Sequence, residues 1–480
     1  MLPTPVSGCS RVQASGESEG LDEADRYCSK CMNFNRFLVC LVAIATMERR
    51  GIANIQAIAA AGFLAASLFS HTVALRLICL ALAVLLALVM VGSDVWQQRA
   101  RSSLLPPASM AFLFWAVWCG LSLLWSLEPE RSEKEFRNEI VYAALAYWSC
   151  FIAGQRLDLS SKVIAILVFA LGLVCLLSVT GTFTLKACLL SMANQTCYPP
   201  DCFCYVDNPL LGWNGGPGMH SSILLVAMPC FLGWLALEII RFDRSDVVAM
   251  KRRSVLVTLM GLSIFSAFAI ENRTIWIGFL LQGLLLIGFV AMWRKRVPRL
   301  GAGDARKLLI LGVGLMVCLV VVAGIAYQRR QGLQSLFGDM RLLVWRESLG
   351  YILDHPWLGY GFGRGSLRAA LHATFNDGLL WHSHNLFLEV VLQTGLIGLA
   401  LFLLLLGSLL RAAVRHLRHD TLAVSVLGMV AGMIVLGMLI RNMTDMLWVR
   451  AAALTFWGTL GLVFGLACRS SAVNTVAVKP

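Results

Sequence analysis

The chain has 480 residues, of which 58% are hydrophobic and only 14% charged, with a mean hydropathy of +0.74. A soluble globular protein carries about 25% charged residues, so that class is excluded, and the absence of alternating period-2 segments excludes a transmembrane β-barrel. The formal net charge of +13 is accounted for by basic anchors beside apolar segments, and nucleic-acid binding is not needed to explain it.

Residues 1–46 are polar, contain Cys9, Cys28 and Cys31, and have no apolar region of the kind a signal peptide needs. They are expected to be a disordered tail or an over-extended start. Met47-Glu48-Arg49-Arg50 would then anchor the first helix from inside. Cys28-x-x-Cys31 is half of a zinc pattern, and no second pair is nearby.

From residue 47 onward, apolar stretches of about 20 residues recur, each long enough to cross a bilayer. The expectation is an all-α, polytopic integral membrane protein with about twelve spans. They fall near 52–70, 73–91, 108–125, 139–154, 163–184, 218–240, 254–270, 274–293, 308–327, 385–408, 421–440 and 446–467. Nine spans thus occupy 47–327, a large helical loop lies between spans nine and ten at 328–384, and 385–480 holds the last three spans and a tail. Arg49-Arg50, Arg99, Arg101, Lys251-Arg252-Arg253, Arg294-Lys295-Arg296, Arg411, Arg415 and Arg418 all fall on one side under this count. Positive loops stay cytoplasmic, so both termini are inside. The mixed loop 128–137 and the segment 328–384 are then outside.

Two outside loops are long, 185–217 and 328–384, and long loops tend to be functional. Most of the 15 cysteines are scattered singly in spans, where they read as small packing residues. Cys197, Cys202 and Cys204 share the first long loop, where a pair, or Cys188 with one of them, could form a disulfide in an oxidising compartment. The second loop carries two helical signals. Gly338-Asp339 can cap a helix with Leu342, Trp345, Leu349 and Ile352 at helical spacing, ending at Asp354-His355-Pro356. Ser366 can cap another, with Leu367, Ala370, Leu371 and Phe375 on one face. Between them Gly359, Gly361, Gly363 and Gly365 fit neither nucleotide-binding glycine pattern, and a hinge is expected. The loop reads as a two-helix lid on the membrane surface.

The chemistry-bearing residues cluster at this outer face. Trp381-His382-Ser383-His384-Asn385 stands where the lid meets span ten. Imidazoles are natural proton carriers near neutral pH. His384 is expected in the first turn of that span, whose dipole disfavours a protonated ring and so favours a base. Asn385, Glu389 and Gln393 form a polar stripe at i, i+4 and i+8, and Glu389 could alternatively be a buried structural partner of Arg450. On the lid, Arg341 shares a face with Trp345, while Arg346 lies about 140° around the helix. Arg273, beside Glu271, occupies the outer tip between spans seven and eight, where a cation runs against the positive-inside bias. Arg441 with Asp445, and His220, occupy other outer tips. Arginines grip phosphates in bidentate fashion, and no carboxylate cluster suggests a metal. The pattern suits a lipid-linked diphosphate sugar, held by arginines and attacked by a hydroxyl that a neutral histidine deprotonates. No cofactor is called for.

Three further elements stand in order. They are Asp339-Met340-Arg341-Leu342-Leu343-Val344-Trp345, His355-Pro356-Trp357-Leu358-Gly359-Tyr360-Gly361-Phe362-Gly363, and His384-Asn385-Leu386-Phe387-Leu388-Glu389 followed by Gly395-Leu396-Ile397-Gly398. Together they resemble the signature of the O-antigen ligase and polymerase superfamily. The resemblance implies a glycosyltransferase that moves a glycan from undecaprenyl diphosphate, on the periplasmic face of a Gram-negative inner membrane. In a ligase the acceptor is a sugar hydroxyl of lipid A–core oligosaccharide, and the reaction is inverting and metal-independent. His384 matches the family histidine, Arg273 the arginine of the preceding hairpin, and Arg341, with Arg346 as rival, the lid arginine.

A polymerase with a second lipid-linked glycan as acceptor, or a protein O-oligosaccharyltransferase, would use the same donor. A peptidoglycan glycosyltransferase of the shape and division type would call for a catalytic acidic residue in an outside loop. A transporter of lipid-linked glycan could also use outward arginines, but no pair of broken spans at matching positions is evident.

Overall fold

A computed structural model of the chain describes residues 49–69, 72–96, 104–157, 164–177, 217–241, 247–270, 273–296, 314, 340–364, 366–375, 382–444, 446 and 450–477. The chain divides after Ile52, and every contact discussed below lies within Ala53–Pro480. The first 46 residues, the cysteines at 188–204, nearly all of the expected span 308–327 and the start of the lid lie outside the described residues.

Every regular element among the described residues is a helix. In chain order these are α1 (Arg49–Ser67), α2 (Val73–Trp96), α3 (Ser109–Leu121), α4 (Pro129–Phe136) and α5 (Tyr142–Gly154). Then follow α6 (Ile164–Leu177), α7 (Pro217–Arg241), α8 (Val247–Ile270), α9 (Arg273–Arg296), α10 (Met340–Asp354) and α11 (Arg368–Phe375). Last come α12 (Leu386–Leu417), α13 (Leu422–Asn442) and α14 (Arg450–Ala477).

Six of these are long and apolar enough to cross a membrane: Val73–Ser93, Gly218–Ile239, Thr274–Trp293, Leu386–Leu417, Leu422–Asn442 and Ala451–Ser471. Shorter apolar helices at Gly51–Ser67, Ser109–Trp125 and Ile164–Leu177 coincide with expected spans. The protein is therefore a multi-pass helical membrane protein, but the described residues do not reach the expected count of twelve. Two reasons are local. Helix α5 has only 13 residues, and Lys251-Arg252-Arg253 interrupt the apolar run of α8 near its start.

The segment 128–137, expected as a loop, is mostly helical. Pro129 opens α4 at a first-turn position that needs no N–H donor. A single π-turn over Arg137–Val141 joins α4 to α5, and such wide turns re-aim the helix that follows. The residues of this turn include Glu139, which is buried.

The membrane core is held by close packing, because lipid supplies no hydrophobic drive between helices. The α5–α14 pair makes the most extensive helix contact. Gly154, Gly461 and Gly465 form its seam. A Cβ on Gly461 would stand 2.2 Å from the Tyr147 carbonyl oxygen, and one on Gly465 2.2 Å from that of Phe151. Elsewhere Gln282 on α9 donates its amide to the carbonyls of Leu225 on α7 (2.9 Å) and Met433 on α13 (3.3 Å), tying three helices together.

Candidate functional site at the broken helix α12

Helix α12 is not continuous. Gly395 has φ 67° and ψ −174°, which ends one helix and starts another within a single apolar run. The break frees the carbonyls of Leu392, Gln393 and Thr394 and the N–H of Leu396. Each then needs a partner, since an unpaired backbone group in an apolar region costs several kcal/mol, roughly. The glycine-bearing segment supplies them. Tyr360 N–H donates to the Leu392 carbonyl (2.8 Å) and Gly361 N–H to that of Gln393 (2.9 Å). Leu396 N–H donates to the Pro356 carbonyl (2.8 Å). Trp118 Nε1 on α3 donates to the Thr394 carbonyl (2.9 Å).

Residues 356–363 are therefore a packed, tightly turned plug in a broken helix. A Cβ on Gly395 would stand 1.9 Å from the Trp357 carbonyl oxygen, and one on Gly361 2.3 Å from Ser126 Cα. Gly359, Gly361 and Gly363 all have positive φ, a region where a side chain is strained. Ser366, expected to cap α11, instead donates its hydroxyl to the carbonyls of Gly361 and Gly363 (2.9 Å each) and closes the plug.

The plug also fastens to the α3–α4 corner. Phe362 N–H donates to Ser122 Oγ (3.1 Å), Trp125 Nε1 to the Leu358 carbonyl (3.2 Å), and Arg364 N–H to Glu135 Oε2 (2.7 Å). Arg364 Nη2 lies 3.7 Å from Glu139 Oε1, with both side chains about nine-tenths buried. Gly363 N–H reaches Gln393 Oε1 (3.1 Å), and Gln393 Nε2 donates to Glu389 Oε1 (3.2 Å). A polar chain thus runs from the α4–α5 π-turn to α12.

The histidines stand at the other end of that chain. Asn385 is the N-cap of α12, accepting from the N–H groups of Phe387 (2.9 Å) and Leu388 (3.1 Å). This is the ordinary capping role of asparagine. Its amide also donates to the Met443 carbonyl (2.9 Å) at the end of α13. His384 therefore precedes the helix, where a first-turn position was expected, and adopts φ 49°. His384 N–H donates to His382 Nδ1 (3.1 Å), and the two rings lie 3.8 Å apart between centroids. Glu389 Oε2 accepts from Ser383 N–H (3.0 Å) and Ser383 Oγ (2.7 Å). Trp345 on α10 donates its Nε1 to the Ser383 carbonyl (2.8 Å), so α10 braces the histidine turn.

A small, partly open cavity of about 10 Å³ adjoins this turn. His382, Glu389, Gln393, Arg364 and Ser366 contribute its polar lining. Arg341 is half-buried one helical turn before Trp345, whereas Arg346 is exposed. The apolar face of α10 differs from expectation: Leu342 and Leu349 are exposed, and Val344 and Ser348 are buried.

Of the other sequence candidates, Arg441 is 3% exposed and its Nε donates to Ser221 Oγ (2.7 Å). His220, 1% exposed, bonds Ser266 Oγ (2.7 Å) through Nε2. These contacts join the ends of α7, α8 and α13, and Met443 links that end to Asn385. Arg273 opens α9; its side chain, that of Arg450, and all of Glu271, Trp381 and Asp445 lie outside what is described. Among the described residues Glu389 pairs with Ser383 and Gln393. No group of three or more metal-ligating side chains occurs among the described residues.

Sequence reasoning passed over Arg364, Glu135, Glu139 and the break at Gly395. Two signals were available. Arg364 is a charge flanked by glycines, and Glu139 is a carboxylate at the edge of an apolar span, where ionisable residues call for a reason.

Comparison with known proteins adds a likeness to a family. Residues 258–403 match the family model described as O-antigen ligase. That stretch starts in α8 and ends in α12, so it contains Arg273, the lid, the plug and the histidine turn. The O-antigen ligase of Pseudomonas aeruginosa is 26% identical over 298 residues, 62% of this chain and 62% of that protein. The ComP-specific O-oligosaccharyltransferase of Acinetobacter baylyi is 23% identical over 154 residues, 30% of this chain and 26% of that protein. The chain spans less than two thirds of the length of either relative.

Proposed function

We propose that this membrane protein, O-antigen ligase-like by its motifs and by both comparisons, transfers a glycan from undecaprenyl diphosphate to a sugar hydroxyl of lipid A–core oligosaccharide. This is the ligation step of lipopolysaccharide biosynthesis. The observation that carries the reading is the family match over residues 258–403, because the same stretch holds the lid, the plug and the histidine turn.

In this reading the chain crosses the inner membrane about twelve times, with both termini cytoplasmic and the plug, lid and histidine turn facing the periplasm. His384 takes the proton of the acceptor hydroxyl. The hydroxyl oxygen attacks the anomeric carbon, the bond to the diphosphate breaks, and undecaprenyl diphosphate leaves with the electron pair. Displacement from the opposite face inverts the anomeric centre. Arg273 and Arg341, with Arg346 as the rival, hold the diphosphate and offset its growing charge. Asn385, Glu389, Arg441 and His220 support the site, and no metal takes part.

The test is deletion of the gene in its host, followed by analysis of lipopolysaccharide and lipid-linked glycans. Bare core with long polymer accumulating on undecaprenyl diphosphate is expected. Core bearing a single repeat would replace the reading with a polymerase. The oligosaccharyltransferase relative favours one second reading, a protein acceptor with the same donor; unchanged lipopolysaccharide with loss of a glycoprotein would establish it. In purified protein His384→Ala should abolish turnover, and EDTA should leave it unchanged.

A further inference from the structure

Glu389 is an uncommon group for its place. It is 4% exposed in an apolar helix, and among the described residues its oxygens meet the uncharged donors of Ser383 and Gln393. Among the described residues no arginine or lysine forms an ion pair with it, although Arg364 lines the same cavity. Its position in the first turn of α12 places it in the favourable end of the helix dipole.

Ser383 lies between the two histidines and is held from three directions. Glu389 takes its N–H and its hydroxyl, Trp345 donates to its carbonyl, and its hydroxyl also lies 3.0 Å from the Asn385 carbonyl. This clamp keeps His384 in a left-handed conformation that L-residues rarely adopt. His382 is fixed by the same turn. An imidazole that accepts at Nδ1, as His382 does from His384 N–H, carries its proton on Nε2. In that tautomer it donates from Nε2 and has no second lone pair to offer.

We propose that Glu389 is a positioning residue for His384, acting through Ser383, and that His382 locks the turn as its Nε2–H tautomer and does not serve as a second base. The inference rests on the reading above that His384 takes the acceptor's proton. It divides the two candidate catalytic histidines, of which the sequence already favoured His384, into a base and a lock.

The experiment compares Ser383→Ala, Glu389→Gln, the double variant and Ser383→Thr in the purified full chain, with lipid-linked donor and core acceptor. Each of the first two should lower kcat roughly tenfold to a hundredfold, the cost of a misplaced catalytic group, with little change in KM. The double variant should be no slower than the slower single, because both changes open one clamp. Ser383→Thr, which keeps the hydroxyl, should recover most of the loss. Amide exchange at residues 383–385 should rise in Ser383→Ala and Glu389→Gln while α14 stays protected, which shows that the bundle is intact. Additive losses, a raised KM at constant kcat, or unchanged exchange at the turn would overturn the proposal. If the wild-type chain turns over no lipid-linked donor, the ligase reading fails, and the exchange measurement still decides the clamp.

Discussion

Two regions of this protein bring backbone against backbone through glycine, and they do so for different reasons. At the α5–α14 seam Gly461 and Gly465 stay helical and admit the carbonyls of Tyr147 and Phe151. Around these glycines the contact is backbone packing, the usual glue between membrane helices, and just past the end of α5 Arg469 on α14 adds a hydrogen bond to the Arg156 carbonyl (2.7 Å). At the α12 break Gly395, Gly359 and Gly361 have positive φ, and the two segments exchange backbone hydrogen bonds. The seam uses glycine for space, and the plug uses it for conformation. The first builds a rigid bundle. The second installs an irregular, polar segment beside apolar helices, next to the candidate histidines.

The largest effect should come from overfilling the seam. Gly465→Leu forces a side chain into the Phe151 backbone and should cost about 3 kcal/mol, the upper end for overpacking. The monodisperse fraction after detergent extraction should collapse. Gly395→Ala should separate the two regions. Its Cβ meets the Trp357 carbonyl at 1.9 Å in a positive-φ position, so glycan transfer should be lost while the extracted bundle keeps most of its thermal stability. Equal losses of stability in these two variants would erase the distinction between seam and plug.

A smaller effect is expected at the buried Arg364–Glu139 pair. Glu139→Gln leaves the guanidinium without that carboxylate, and the cost is confined to the plug. Limited proteolysis within 340–375 should quicken, and Glu139→Leu combined with Arg364→Met should slow it again. The smallest effect is expected from Trp118→Phe, which removes one donor to the Thr394 carbonyl. A loss of about 1 kcal/mol is anticipated, read as a shift of a few degrees in thermal unfolding, with turnover reduced only modestly.

Several features of this architecture were legible without coordinates. The apolar runs that became α7, α9, α12, α13 and α14 are the long segments that a bilayer requires. The end of α10 at Asp354 follows from Pro356, which keeps the residue before it out of the helical region. The closeness of His382, His384, Asn385 and Glu389 is local in sequence and needed no fold to be seen. The buried face of α10 was not legible. Beside a membrane an apolar residue can point outward, as Leu342 and Leu349 do, so apolar spacing no longer marks the inside.

The sequence by itself determined the class of the protein, its likeness to a family and the local histidine turn. All three depend on composition, on linear motifs or on neighbours within a few positions. Only the tertiary structure decided that α12 is broken, that the glycines form a plug, and that Glu135 and Glu139 meet Arg364 more than two hundred residues along the chain. It also decided that Glu389 binds the serine between the histidines. The physical reason is common to these cases. A carbonyl freed at Gly395 or a carboxylate buried at 389 must find a donor, and which donor it finds is a property of packing, on which residue order is silent.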